Sequence, residues 1–160
     1  MSEAGADFDT DQIKAMIPHR HPFLLLDRVT NCVRDKGGIG IKQVTANEPF
    51  FQGMPRHGLA MPGLLIVEAM AQTAAVGAIY TLGAHTAGKI ILLTGLKDVR
   101  FYLPVRPGDT LYLHLEKERQ FGPTSRLRGE ARVKGELVAE ARLTAVIIDS
   151  GHDFSAGAAS

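Results

Sequence analysis

Cysteine is nearly missing: Cys32 stands alone among 160 residues. One thiol gives neither a disulfide framework nor a cysteine-based metal site, and it fits a reducing compartment. An excess of one charge is missing too. Lys and Arg number 18 against 17 Asp and Glu, leaving +1. The basic residues are scattered, so bulk charge offers nothing to a nucleic acid. No His or Asp/Glu group has metal-ligand spacing. No Gly-rich phosphate loop follows a strand, which argues against a nucleotide, and there is no internal repeat. Met1–Thr10 is acidic and polar, without the basic and apolar regions of a secretory signal. The expectation is a soluble, cytoplasmic protein with one domain, of a size that suits one core.

What the chain does have is one very apolar helix. Met61 to Tyr80 carries a single charge, Glu68. The apolar run Leu64–Leu82 is nearly long enough to span a bilayer. Glu68, Gln72, Gly77 and the many alanines instead favour a core helix, and a helix hydrophobic all round belongs in a core. Charged groups are rarely buried there unless paired or functional. Two readings of Glu68 therefore stand side by side: a buried carboxyl paired with an Arg or His, or a catalytic carboxyl in a dry site.

Around the helix the sequence reads mostly as strands. Residues 1–10 and 150–160 are expected to be disordered tails, leaving 11–149 as the domain. Asp11 to Met16 suits a short helix capped by Asp9 or Thr10 and stopped by Pro18. Strands are expected at Phe23–Val29, Ile39–Val44, Ile90–Thr94, Thr110–Arg119, Ser125–Val133 and Glu136–Ile148, with Val99–Phe101 leading into a turn-rich stretch. Gly135 suits a hairpin turn between the last two. The fold class is α+β: an antiparallel sheet of about six strands curled around one long helix, the layering that buries such a helix.

The start of the helix is a candidate electrophile. Its first N–H groups lack intrahelical partners and its dipole favours negative charge. Gly63 is expected to leave room for a substrate carbonyl, and Gly63 and Leu64 to stabilise an enolate as an oxyanion hole does. Glu68 lies five residues on, roughly 7–8 Å along the axis. Gln72, one turn further, is placed to orient it. Apolar surroundings favour the neutral, proton-donating form of a carboxyl.

Four segments carry a family resemblance. Pro18-His19-Arg20-His21-Pro22-Phe23-Leu24-Leu25-Leu26-Asp27-Arg28-Val29 resembles the opening signature of the 3-hydroxyacyl-acyl-carrier-protein dehydratases of type II fatty acid synthesis. Asn47-Glu48-Pro49-Phe50-Phe51-Gln52-Gly53 is similar to their active-site loop, and Met61 to Gln72 to their central helix. Arg100-Phe101 and Pro104 to Asp109 are similar to a later strand and turn. The resemblance implies a hot-dog fold, homodimers that share active sites, and a trimer of dimers. It implies syn loss of water from a (3R)-hydroxyacyl thioester borne by acyl carrier protein, to give a trans-2-enoyl thioester, with no metal or organic cofactor and no membrane insertion. Lipid A synthesis is one destination of such products.

The chain departs from the family at one point. The loop after Phe-Phe-Gln-Gly continues His-Phe-Pro-Gly there, and that His is the catalytic base. Its position here is Met54, within Gly53-Met54-Pro55-Arg56-His57-Gly58-Leu59-Ala60. A thioether cannot serve as a general base. Three explanations stand open. His57, three residues and up to roughly 10 Å downstream, substitutes. The protein binds acyl thioesters but turns them over poorly, since losing an acid–base residue costs about 10²–10⁴ in rate. Or a compensated pair of frameshifts, in the gene or its reading, scrambled this window alone.

The remaining candidates are plainer. His19 and His21 read as structural, holding the start of the strand. His85 is expected in the loop after the helix and His114 on a strand surface. Phe50, Phe51 and Phe101 are candidate walls of an acyl tunnel, or ordinary packing. Lys97, Arg100 and Arg106 are candidate contacts for the acidic carrier protein. The expected function is a 3-hydroxyacyl-carrier-protein dehydratase. The expected site is Glu68 acting on the leaving hydroxyl, His57 as base, and Gly63, Leu64, Gln72, Phe50 and Phe51 around the substrate. A catalytically silent acyl-binding or paralogue-binding protein is the alternative, and a thioesterase a weaker one.

Overall fold

The apolar stretch forms helix α2, Gly63–Leu82, in a computed structural model that describes residues 4–55 and 58–151. Most of the tail expected at 150–160 lies outside the described residues. Pro62 is the N-cap of α2 and accepts the Leu65 N–H at 2.9 Å. Gly83 ends the helix at φ 56°, a conformation that favours glycine. By length and composition Gly63–Thr86 is apolar enough to span a bilayer, but half of its most apolar window is buried inside the protein.

The strands are β1 (Ala6–Phe8), β2 (Arg28–Val33), β3 (Gly37–Gln43), β4 (Lys89–Phe101), β5 (Thr110–Phe121), β6 (Thr124–Val133) and β7 (Glu136–Asp149). Helix α1, Thr10–Met16, lies between β1 and β2. All pairings are antiparallel, in one sheet ordered β1-β2-β3-β5-β6-β7-β4. The sheet wraps α2, which packs against β2 to β7 and reaches β1 through Tyr80, edge-on to Phe8 at 5.2 Å. Alternation sets the two faces. Leu111, Leu113 and Leu115 of β5 point inward to the core shared by Ile66, Val67 and Met70 of α2, while Tyr112, His114 and Glu116 point out. This is the hot-dog arrangement.

Helix and sheet approach closely at Gly40. A Cβ there would lie 2.1 Å from Thr73 Oγ1, so only glycine fits. Between β6 and β7, Lys134 and Gly135 both take positive φ, 50° and 84°. That is the two-residue hairpin turn expected at Gly135.

Three local expectations are corrected. The N-terminal tail is ordered from Ala6: β1 pairs with β2, Phe8 is buried, and Asp9 closes a capping box on α1 with Gln12. Sheet pairing by so short a polar segment leaves almost no hydrophobic pattern. Phe23–Leu26 is not a strand, because Gln72 occupies its backbone groups, accepting the Leu25 N–H at 3.0 Å and donating to the Phe23 carbonyl at 2.8 Å. The two segments expected around residue 95 are one continuous β4. Register shifts at Leu93/Gly95 and Lys97/Arg100, with Asp98 at φ 52°, interrupt its alternation. The sheet therefore has seven strands.

Strand β4 pairs with β7 alone. Its other edge is unpaired among the described residues, and Ile90, Leu93, Leu96 and Phe101 on it are exposed.

Candidate active site

Glu68 is neither sealed in hydrocarbon nor free. Its side chain is 24 % exposed. Helical spacing puts Gln72 one turn on, and the Gln72 amide donates to Glu68 Oε1 at 2.9 Å. Gln72 is itself 1 % exposed, and its three hydrogen bonds join the helix to the segment 23–25. The surroundings expected to be apolar on every side thus hold an amide, and they hold an imidazole as well. His19 Nε2 lies 3.3 Å from Glu68 Oε1.

His19 belongs to the loop that follows α1. Arg20 fixes that loop by donating to the carbonyls of Lys14, Ile17 and His19 at 3.0, 2.9 and 2.7 Å. The His19 ring stacks on Phe23 with centroids 6.1 Å apart. Its Nδ1 is buried without a hydrogen-bond partner among the described residues. His19 and Glu68 open together on a cavity of about 130 Å³ whose other walls include Ala71, Ala75, Leu93 and Leu143. A carboxyl and an imidazole face a slot with mostly apolar walls. His19 and Glu68 stand 49 residues apart in sequence, and the fold brings them together.

The other expected residues lie elsewhere. Gly63 begins α2. A Cβ on it would sit 2.6 Å from the Phe101 ring, so glycine is what lets that ring pack against the helix start. Leu64 is 71 % exposed. Both border a second cavity of about 420 Å³ with Phe101, Tyr102, Leu103 and Val105, and Glu68 is not on it. At about 100° per residue, Gly63 and Glu68 stand roughly 140° apart around the helix. Within one protomer the helix start and the carboxyl therefore open on different sides.

Phe51 is buried in the core, and Phe50 packs edge-on against it at 4.7 Å. Neither borders the Glu68 cavity. Beneath them Lys42, 4 % exposed, pairs with Glu48 at 2.7 Å, and its Nζ sits 5.9 Å from the Phe50 ring. This pair pins the start of the loop that leads to Met54, which is exposed at the loop's far end. His57 lies outside the described residues. His85 and His114 are exposed, and partial burial together with Arg132 pushes the His114 imidazole below its usual value. Of the candidate cations Lys97, Arg100 and Arg106, all exposed, Arg100 is engaged with Glu140 at 3.3 Å.

A sheet wound on one apolar helix, with a carboxyl and an imidazole facing an apolar slot beside it, defines a hot-dog protein. The chain belongs to the FabA-like family: the model of the FabA-like domain matches residues 17–142. It is 48 % identical over 148 residues, 92 % of each chain, to the protein named 3-hydroxyacyl-[acyl-carrier-protein] dehydratase FabZ of Paramagnetospirillum magneticum. It is 51 % identical over 141 residues, 88 % of each chain, to the protein of the same name in Rhodospirillum rubrum. Among solved structures, the dehydratase heterocomplex ApeI:P of Xenorhabdus doucetiae superposes with a TM-score of 0.73 at 23 % identity. That match covers 86 % of this chain and 91 % of that one. At this identity the structural likeness speaks for the fold.

Proposed function

We propose that the protein is a 3-hydroxyacyl-carrier-protein dehydratase that removes water from a (3R)-hydroxyacyl thioester to give the trans-2-enoyl thioester. The observation that carries this reading is Glu68, held by Gln72 and touched by His19 on the wall of an apolar cavity. It stands in a chain whose relatives bear the dehydratase name over about nine-tenths of its length.

Glu68 gives its proton to the leaving hydroxyl. The Gln72 amide and the His19 ring both approach Oε1, and Oε2 makes no hydrogen bond among the described residues, so it is the oxygen left for substrate. Apolar walls keep bulk water from competing for that proton. The start of α2 at Gly63 and Leu64 holds the thioester oxygen. Because that start and Glu68 open on different sides of one helix, a second copy of the chain completes each site. The unpaired apolar edge of β4 supports such a homodimer, with Phe50 and Phe51 near the shared site, and three dimers make the full assembly. Lys97 and Arg106 offer exposed cations to an acidic acyl carrier protein. A cytoplasmic location fits the single free, buried Cys32. The enoyl products serve fatty acid synthesis, and lipid A synthesis is a further outlet.

One observation favours a second reading. Met54 occupies the family's base position, which suits a silent protein that binds acyl thioesters or a paralogue. Incubation of the purified protein with 3-hydroxyacyl and with trans-2-enoyl carrier protein separates the cases. Interconversion is the expected result. Binding without interconversion refutes the dehydratase in favour of the silent binder, and release of free acid refutes it in favour of a thioesterase.

A further inference from the structure

We infer that the base of this site is His19, working with Glu68 of its own protomer in place of the side chain replaced by Met54. The inference rests on the dehydratase reading above. Three observations support it. First, His19 Nε2 is 3.3 Å from Glu68 Oε1 and both residues line one cavity. A syn elimination takes hydrogen and hydroxyl from the same face of the substrate, so its acid and base must stand side by side. Hydrogen bonds between catalytic groups are often long in the free enzyme. Second, the imidazole has no competing employment. Its Nδ1 is buried without a partner, whereas polar atoms of a histidine kept for packing are normally satisfied. The carboxyl is the polar partner this ring has among the described residues. Third, the ring is held on both sides. Arg20 ties down the backbone of the loop and Phe23 stacks on the imidazole. Gln72 fixes segment 23–25 and the carboxyl at once. Orientation of this kind is what makes a proton acceptor effective.

The step balances within the pair. Neutral His19 takes the C2 proton at Nε2 as the C2–H bond breaks. The C2=C3 double bond forms, the C3–O bond breaks, and Glu68 delivers its proton to the departing hydroxyl, which leaves as water. Glu68 is then a carboxylate and His19 an imidazolium, adjacent across the same contact. Return of the proton from Nε2 to Oε1 restores both.

The test compares His19→Asn and His19→Ala with His57→Ala in the full chain, by hydration of trans-2-enoyl carrier protein and by the reverse reaction. His19→Asn is expected to lower kcat by about 10²–10⁴ with little change in KM, the range for a lost acid–base group. The loss in His57→Ala is expected to be smaller. Added imidazole is expected to restore part of the rate to His19→Ala, which no repair of packing would do; its thermal unfolding shows that the variant is folded. Full activity of His19→Asn, loss confined to His57→Ala, or no rescue of a folded His19→Ala overturns the inference while leaving the dehydratase reading intact. A wild-type protein that interconverts neither substrate overturns both.

Discussion

Replacing Gln72 by Leu tests whether one buried amide holds the site together. The carboxamide accepts the Leu25 N–H at 3.0 Å and donates to the Phe23 carbonyl at 2.8 Å and to Glu68 Oε1 at 2.9 Å. Leucine fills similar space and satisfies none of the three. A buried donor or acceptor left unpaired costs about 1–3 kcal/mol. Leu25 is deeply buried and pays in full, whereas the Phe23 carbonyl and Glu68 are part-buried and regain some water. The sum is about 3–5 kcal/mol, a large part of the roughly 5–15 kcal/mol that holds a typical domain. For a chain of this size that is roughly 6–20 °C in Tm. Urea unfolding at fixed protein concentration, with unchanged m-value, is the measurement. Gln72→Glu is the matched control: it preserves the acceptor for Leu25 and places an oxygen against Glu68. A Gln72→Leu protein within about 1 kcal/mol of wild type would refute the clasp.

Three further outcomes are expected. Gly40→Ala forces a methyl onto Thr73 and costs about 1–3 kcal/mol of overpacking; in a double-mutant cycle Thr73→Ala should recover most of it. Lys42→Met leaves the Glu48 carboxylate without its partner and should destabilise by about 3–5 kcal/mol; denaturant unfolding should show Glu48→Gln in the same background regaining part of that loss. Met54→His adds an imidazole to a site that, on the inference above, already holds its base. Its kcat should change by less than about tenfold, and a gain of about 10² or more would show that a base was missing.

The sequence showed different parts of this molecule with unequal clarity. Helix α2 was legible from composition alone, and the four-residue spacing of Glu68 and Gln72 is enough to put them on one face of it. The alternation of β5 and β7 and the turn at Gly135 were legible for the same local reason. What escaped depends on contacts remote in sequence. Phe23–Leu26 has the composition of a strand, but Gln72 captures its backbone groups. The bend at Asp98 hides the continuity of β4. The packing of the Phe101 ring against Gly63 joins residues far apart in sequence and leaves no local pattern. The contact of His19 with Glu68 is likewise invisible locally, since 49 residues separate them.

The placement of β4 at the far edge of the sheet has a consequence for synthesis. Its pairing with β7 joins Lys89 to Asp149, 60 residues apart. A ribosome adding about 5–20 residues per second needs roughly 3–12 s to cover that distance. Through that interval the nascent chain carries a long, partly apolar strand whose pairing partner is still unmade, beside a helix made almost wholly of hydrocarbon. Chaperone capture is to be expected within this window, and truncations before residue 136 should aggregate.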